Sequence, residues 1–317
     1  MRPRGEHMTN VLAIVLPVFG LIAIGFAAAK LKLITERAGD GLADYVFALA
    51  VPALIFRTLS ESKVPLTDSP WGYWVSYFAA AAVAWGIGMI FARRVFSRDA
   101  RESVIHGFCS AQSNTVFLGI PLILQAYGDA GAVPLFLLLA VHLPLMMGAA
   151  SIMIESADAG DAGFRFGPFI KTLATHPILL ALFAGVLAQI VGVRAPESLK
   201  PILDGLSASA SPVALVAMGL ALSRYGFSAD PKAATVSAVL KLMLHPLLVF
   251  VFAHFVFALD PVFTGVGVLF AALPSGINGY LLAVRYRTGE RFASSAIAVS
   301  TALSVVTVAV WLVILGV

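Results

Sequence analysis

Long apolar runs, almost free of charge, divide the chain from end to end, and that pattern leaves few folds open. A helix needs about 20 consecutive, mostly apolar residues to cross a bilayer. About ten such stretches can be read, at 9–29, 40–59, 71–92, 103–127, 131–154, 172–192, 198–222, 233–258, 262–284 and 292–315. They carry no ten-residue alternating strand pattern, so a barrel is out. Charged residues make up 12% of the chain, against about 25% in a soluble domain. The expected fold class is an all-α polytopic membrane protein, and the short linkers leave no room for a soluble domain. Met1 to Lys30 has the basic start and apolar core of a signal peptide. Its apolar run is too long for one, so it is expected to be the first span. Cys109, the only cysteine, rules out an intrachain disulfide.

The basic residues fall between the runs. With the N-terminus outside, the inward loops carry fourteen of them, among them Arg37, Arg98, Arg101, Arg165 and Arg291. The outward segments carry six, Arg2, Arg4, Arg57, Lys63, Arg194 and Lys200. The positive-inside rule then predicts a multi-pass protein of the cell membrane with both termini outside the cytoplasm. The net charge of +4 is topological and does not point to nucleic acid.

Two runs are interrupted at their centres, one by Asn114, Gly119 and Pro121 and the other by Pro274, Gly276 and Asn278. Unwound backbone at membrane depth is tolerated only where protein or a watery cavity satisfies it. Weak internal matches relate the two halves. Pro17 and Gly25 match Pro177 and Gly185, Asp40-Gly41-Leu42 matches Asp204-Gly205-Leu206, and Gly128-Asp129 matches Gly289-Glu290, at offsets of 160, 164 and 161 residues. Five spans is an odd number, so the second half is expected to be inserted upside down, as in many secondary transporters. The predicted organisation is a first repeat over 1–154, a cytoplasmic linker over 155–171 and a second repeat over 172–317.

Pro suits the first turn of a helix, so Pro121 and Pro274 are expected to start half-helices. Two half-helix N-termini would then present free amides and positive dipole ends near the midplane. Neither interrupted run contains Asp, Glu, Lys or Arg between Val104 and Ala126 or between Val262 and Val284. A cation antiporter would be expected to place carboxylates there. Asn114, Thr115, Gly119, Pro121, Pro274, Ser275, Gly276 and Asn278 are therefore the predicted binding residues for a small organic anion. Gln112, His142, Lys241, His245, Thr301 and Ser304 are candidates for coupling or for lining the site.

Lys241 has two readings. It either snorkels to the surface or serves as a fixed or titrating charge by the crossover; a Lys at a span centre costs ~2.5–3.5 kcal/mol on insertion scales. His142 and His245 are either satisfied core histidines or proton couplers. Thr301, Ser304 and Thr307 share one face, either as packing contacts or as lining. Asp40, Asp44 and Asp204 lie near span ends and read as caps or scaffold contacts. A membrane enzyme would need a metal motif or nucleophile elbow, and neither HExxH nor Gly-x-Ser-x-Gly is present. A sensor built on a transporter fold is a third class, and no Walker A motif is present for direct use of ATP.

SNTVFLGIPL, ALPSGINGYLLA and STALSVVTVAVW resemble the auxin efflux carrier family, which includes plant PIN-type carriers and bacterial carriers of malonate or malate. The resemblance covers essentially the whole chain. It implies an inverted-repeat fold of the bile-acid-symporter and NhaA kind, with the fourth and ninth helices broken and crossing. Spans 1, 2, 6 and 7 would form a scaffold; spans 3–5 and 8–10 would form an elevator-like transport domain. A homodimer through the scaffold, no cofactor, and coupling to a proton or to sodium are further implications. Two departures stand out. The long hydrophilic loop of plant carriers is absent, and so is their Asp–Lys pair on the third span, because Trp71 to Ala92 is uncharged.

The orientation is testable by labelling. In a Cys109→Ala background, Arg98→Cys and Arg165→Cys should react only with membrane-permeant thiol reagents in intact cells. Reaction of both with impermeant reagents would reverse the topology.

Overall fold

The computed structural model describes residues 4–62, 70–157, 174–226 and 230–317. Arg2, Lys63, Arg165, Lys171 and most of the 155–171 linker lie outside these ranges. The described residues are helical throughout, apart from turns and one isolated bridge. In chain order the helices are α1 (Arg4–Lys30), α2 (Glu36–Glu61), α3 (Trp71–Arg94), α4 (Ala100–Ala111), α5 (Ile120–Tyr127), α6 (Ala132–Ala157), α7 (Pro177–Val191), α8 (Lys200–Leu222), α9 (Pro231–Val256), α10 (Pro261–Ala272), α11 (Asn278–Tyr286) and α12 (Glu290–Leu315). Among the described residues, seven helical stretches are long and apolar enough to cross a membrane. One of these, Thr115–Ala157, contains α5 and α6, joined by a tight Gly128–Gly131 turn. Two further apolar helices, Pro177–Val191 and Pro261–Ala272, are shorter.

Local sequence sets many of the ends. The Thr35 hydroxyl accepts from the Ala38 amide, and the Asp99 carboxylate accepts from the Glu102 amide at 2.8 Å. Each supplies a partner to a first-turn donor that the helix itself leaves unpaired. Gly192 and Gly316 close α7 and α12 with positive φ, the usual left-handed helix stop.

Proline shapes three helices in one way. A widened π turn precedes Val51-Pro52, Ile120-Pro121 and His245-Pro246, at Val46–Ala50, Thr115–Gly119 and Leu240–Leu244. Each proline becomes the second residue of the α-helix that follows. The wider turn makes room for a ring that would otherwise strike the carbonyl four residues back.

Packing gathers the helices into two neighbourhoods. In the first, α1 packs on α8, and α2 packs on both α7 and α8. Gly25 and Gly219 let α1 and α8 approach backbone to backbone: a Cβ on Gly219 would lie 2.1 Å from the Ile22 carbonyl oxygen, and one on Gly25 2.2 Å from that of Val216. Gly185 of α7 plays a similar part against Leu59 of α2. Asp40 pairs with Arg224 at 2.8 Å and Asp204 with Arg57 at 2.6 Å, so both carboxylates tie α2 to the end regions of α8. In the second neighbourhood α3 packs on α4, and α9 packs on α10, α12 and α3. Large apolar side chains such as Leu16, Phe183 and Val306 point away from the bundle.

Gly219→Ala should overpack the α1–α8 crossing and cost ~1–3 kcal/mol, seen as a lower melting temperature in detergent. Gly20→Ala meets nothing within 4 Å and should melt as the parent does. Equal melting of all three proteins would contradict this account of the crossing.

Candidate functional site

α4 stops at Ala111, and its run resumes as the π turn at Thr115; α10 stops at Ala272 and resumes as α11 at Asn278. The two interruptions lie against each other, with Ser113 and Ser275 paired as an antiparallel bridge. The Asn114 amide donates to the Pro274 carbonyl at 2.9 Å, and the Gly276 amide donates to Gln112 Oε1 at 3.0 Å. Ser275 Oγ donates to the Cys109 carbonyl at 2.6 Å, and the Ser275 amide donates to Ser300 Oγ at 3.1 Å. Ser113 Oγ donates to the Phe270 carbonyl at 2.7 Å. Each break thus supplies partners for the other's exposed peptide groups, as buried backbone in an apolar setting requires. Glycine is needed at 276, where a Cβ would fall 2.4 Å from Gln112 Oε1.

The chain runs away from the breaks in both α5 and α11, so both present their N-terminal ends there. The Gly119 and Ile120 amides donate to the Asn114 and Thr115 carbonyls, and those of Gly279 and Tyr280 to Gly276 and Ile277, so the amides without a helical acceptor are those at the head of the π turn, from Thr115, and of Asn278. Beside them lies a cavity of about 230 Å³ lined by Asn114, Thr115, Gly276 and Asn278 together with Phe47, Leu139, Pro144, His176 and Ile277. Among the described residues, no Asp, Glu, Lys or Arg lines it. Asn114 Nδ2 also reaches Met218 Sδ of α8 at 3.1 Å, so the break touches the first helix neighbourhood directly.

Four of the eight predicted binding residues therefore reach the cavity: Asn114, Thr115, Gly276 and Asn278. Ser275 does not line it, because its hydroxyl is spent on the Cys109 carbonyl. Gly119 is a packing position, with Leu273 Cδ1 2.7 Å from where a Cβ would be. The prolines correct the expectation that both start half-helices. Pro274 lies in the extended link before α11 and offers its carbonyl to Asn114. Pro121 does enter the first turn of α5, but the π turn from Thr115 precedes it, so the open amides lie nearer Asn114. Phe47, His176 and Met218 were not predicted.

A second polar cluster lies behind the breaks, within the bundle. Lys241 is wholly buried and donates to the Ala271 carbonyl, so it does not snorkel. His142 Nε2 accepts from the Ser113 amide at 3.4 Å, and Tyr77 and Ser113 share a 3.1 Å hydroxyl contact. The Tyr77 ring meets His142, His245 and Phe270 at centroid distances of 5.5, 5.0 and 5.4 Å. Tyr77, on the uncharged third run, is another residue the sequence reading missed. Thr301 and Ser304 are buried in α12 but do not line the cavity; Ser304 and Thr307 bond back to carbonyls of their own helix.

A family model described as "Membrane transport protein" matches residues 10–162 and 167–312. The chain belongs to that family, the auxin efflux carriers. As the family's description says, this member is a membrane transporter and not an enzyme. It is 31% identical to a "Putative malonate transporter" of Rhizobium meliloti (strain 1021), over 95% of this chain and 94% of that one. It is 26% identical to an "Uncharacterized transporter" of Methanothermobacter thermautotrophicus, over 95% and 97% of the two chains. A "Lysosomal cholesterol signaling protein" of Mus musculus is 26% identical over 69% of this carrier and 27% of its own length.

Gln112→Leu should leave the Gly276 amide without its acceptor. An unsatisfied buried donor costs ~1–3 kcal/mol, so the variant should melt well below the parent carrier in detergent. An unchanged melting temperature would show that this bond does not hold the break.

Proposed function

We propose that the protein is a secondary active carrier of small organic anions, carboxylates in particular, which binds its substrate where the two broken helices meet. The observation that carries this reading is the cavity, uncharged among the described residues, that ends on Asn114, Thr115 and Asn278 beside two helix starts. Amide donors and positive dipole ends favour a carboxylate. A site with no basic side chain among its described residues holds an anion without trapping it. At about 230 Å³ the cavity is smaller than the ~300–1,000 Å³ of drug-sized ligand sites, which suits a small solute. The relative named for malonate makes that dicarboxylate the first to try. A cation antiporter is disfavoured because no carboxylate among the described residues lines the cavity.

The reading extends to architecture. In it, ten spans form two inverted five-helix repeats, with α4–α5 and α10–α11 as the broken fourth and ninth. Contacts between residues at repeat-equivalent positions support this. Tyr45 bonds Ser209 across 164 residues, Gln112 bonds Gly276 across 164, and Ser113 pairs with Ser275 across 162. Equivalent residues meet one another only near a two-fold axis, the relation that inverted repeats show. The α2–α8 ion pairs are reciprocal in the same sense. The neighbourhood of α1, α2, α7 and α8 then serves as scaffold, through which two copies pair. The remaining helices move as an elevator that carries the site. The cavity is bounded by the start of α7, on the side of the 155–171 linker, so with the positive-inside orientation it opens toward the cytoplasm.

Asn114→Ala and Asn278→Ala should each weaken malonate binding about ten- to a hundredfold, the range for a lost hydrogen bond to a charged group, ~1.5–3 kcal/mol. Binding to purified protein, together with uptake of a labelled mono- and dicarboxylate panel into proteoliposomes, measures this. Full affinity in both variants, or no transport of any carboxylate by the parent protein, would overturn the proposal.

A further inference from the structure

Lys241 lies in the π turn of α9 with no exposed surface. Its ammonium donates to the carbonyl of Ala271, in the last turn of α10, where that helix stops at the break. The final carbonyls of a helix have no donor within it and carry the negative end of its dipole. Two consecutive carbonyls at this end are taken by side chains from elsewhere, Phe270 by Ser113 and Ala271 by Lys241. Around the ammonium, the titratable groups are Tyr77 from α3, His142 from α6 and His245 from α9 itself. α12 contributes Trp311, whose Nε1 donates to the Leu242 carbonyl of the same π turn at 3.0 Å. Among the described residues no carboxylate pairs with Lys241, and α3, α9 and α10 carry none along the faces that enclose it.

Carbonyl and hydroxyl oxygens at a half-helix C-terminus are the ligand chemistry of a sodium ion. Here the Ala271 carbonyl takes the Lys241 ammonium, the neighbouring Phe270 carbonyl takes the Ser113 hydroxyl, and that hydroxyl contacts Tyr77, so the cation at this helix end is covalently part of the chain. We propose that Lys241 is a tethered counter-cation that takes the place of a dissociable sodium ion, so that the carrier binds and moves its anion without sodium. The substrate part of this inference rests on the anion reading of the breaks. The anion meets the two N-terminal helix ends on one side, while the ammonium meets a C-terminal end on the other. Positive and negative charge then travel together in the same packed unit, α9 and α10 with the breaks. That lowers the penalty for carrying a lone anion through a low-dielectric region.

Two measurements test the proposal. The first is independent of any substrate: melting of the purified protein in sodium chloride and in equal choline chloride. The parent should melt identically in both salts. Lys241→Ala leaves the Ala271 carbonyl without its donor and opens room beside it and the Phe270 carbonyl, so that variant should be stabilised by sodium over choline. Lys241→Gln, closer in length, is the second variant and should show the same salt response. Sodium stabilisation of the parent would overturn the inference, as would indifference to sodium in both variants. The second measurement is malonate uptake into proteoliposomes. The parent should transport equally in sodium and choline, while Lys241→Met should slow uptake by about tenfold or more and Lys241→Arg should retain most of it. A sodium requirement in the parent, or parental uptake by Lys241→Met, would contradict the tethered cation. Failure of the parent to move any carboxylate would instead count against the anion reading, leaving the salt-dependent melting to decide the role of Lys241.

Discussion

The Ser113–Ser275 pairing is the contact on which the rest of the structure depends. Two helices that stop inside an apolar bundle each expose several peptide groups. Either break alone would leave those groups unpaired at a cost of several kcal/mol in the membrane. Together they exchange partners: the Asn114 amide takes the Pro274 carbonyl, and the Gly276 amide takes Gln112. Because the breaks exchange these partners, the amides at the head of the π turn, from Thr115, and of Asn278 can be left to a ligand, while those of Ile120, Gly279 and Tyr280 already donate to carbonyls. The pairing also fixes the ends of α4 and α10, and so places Lys241 and Ser113 on the α10 carbonyls.

Around this centre the two helix neighbourhoods differ in how they are held. The α1–α8 crossing relies on glycine and close backbone approach, and α2 is tied to α8 by ion pairs. The bundle around the breaks is held by buried polar contacts from Tyr77, His142, Lys241, Ser300 and Trp311. Contacts of that kind hold a bundle as a unit because each member is satisfied only while all are in place. At the site the two neighbourhoods meet through the Asn114–Met218 contact, the edge-to-face Phe47–Phe117 pair and the packing of α8 on the π turn, beside the cavity.

The class of protein and the two helix breaks were legible in the sequence for a physical reason. Low charge, long apolar runs and residues costly in lipid, such as Asn114, Asn278 and Lys241, announce themselves without knowledge of the fold. What was not legible is which neighbour each residue faces. Ser103 to Ala111 is buried on every side, so its periodicity marks no face, and nothing in the sequence says that the Cys109 carbonyl will hold Ser275. Tyr77 and Phe47 read as ordinary membrane aromatics until the helices are assembled. His176 lies far along the chain from both breaks. The π turns explain why Pro121 did not fill its expected role: the helix widens ahead of the proline, so its start moves back toward Asn114.

The account stands or falls on where the anion's carboxylate lies. Solid-state NMR of the carrier in lipid, with ¹³C-labelled malonate and ¹⁵N-labelled asparagine side chains, measures this directly. Dipolar coupling between the malonate carboxylate and the side-chain nitrogens of Asn114 and Asn278 is expected, at hydrogen-bond separations of ~3–4 Å between carbon and nitrogen, and should vanish when both residues are changed to alanine. Bound malonate with no coupling to either asparagine would place the anion elsewhere and contradict the crossed breaks as its site.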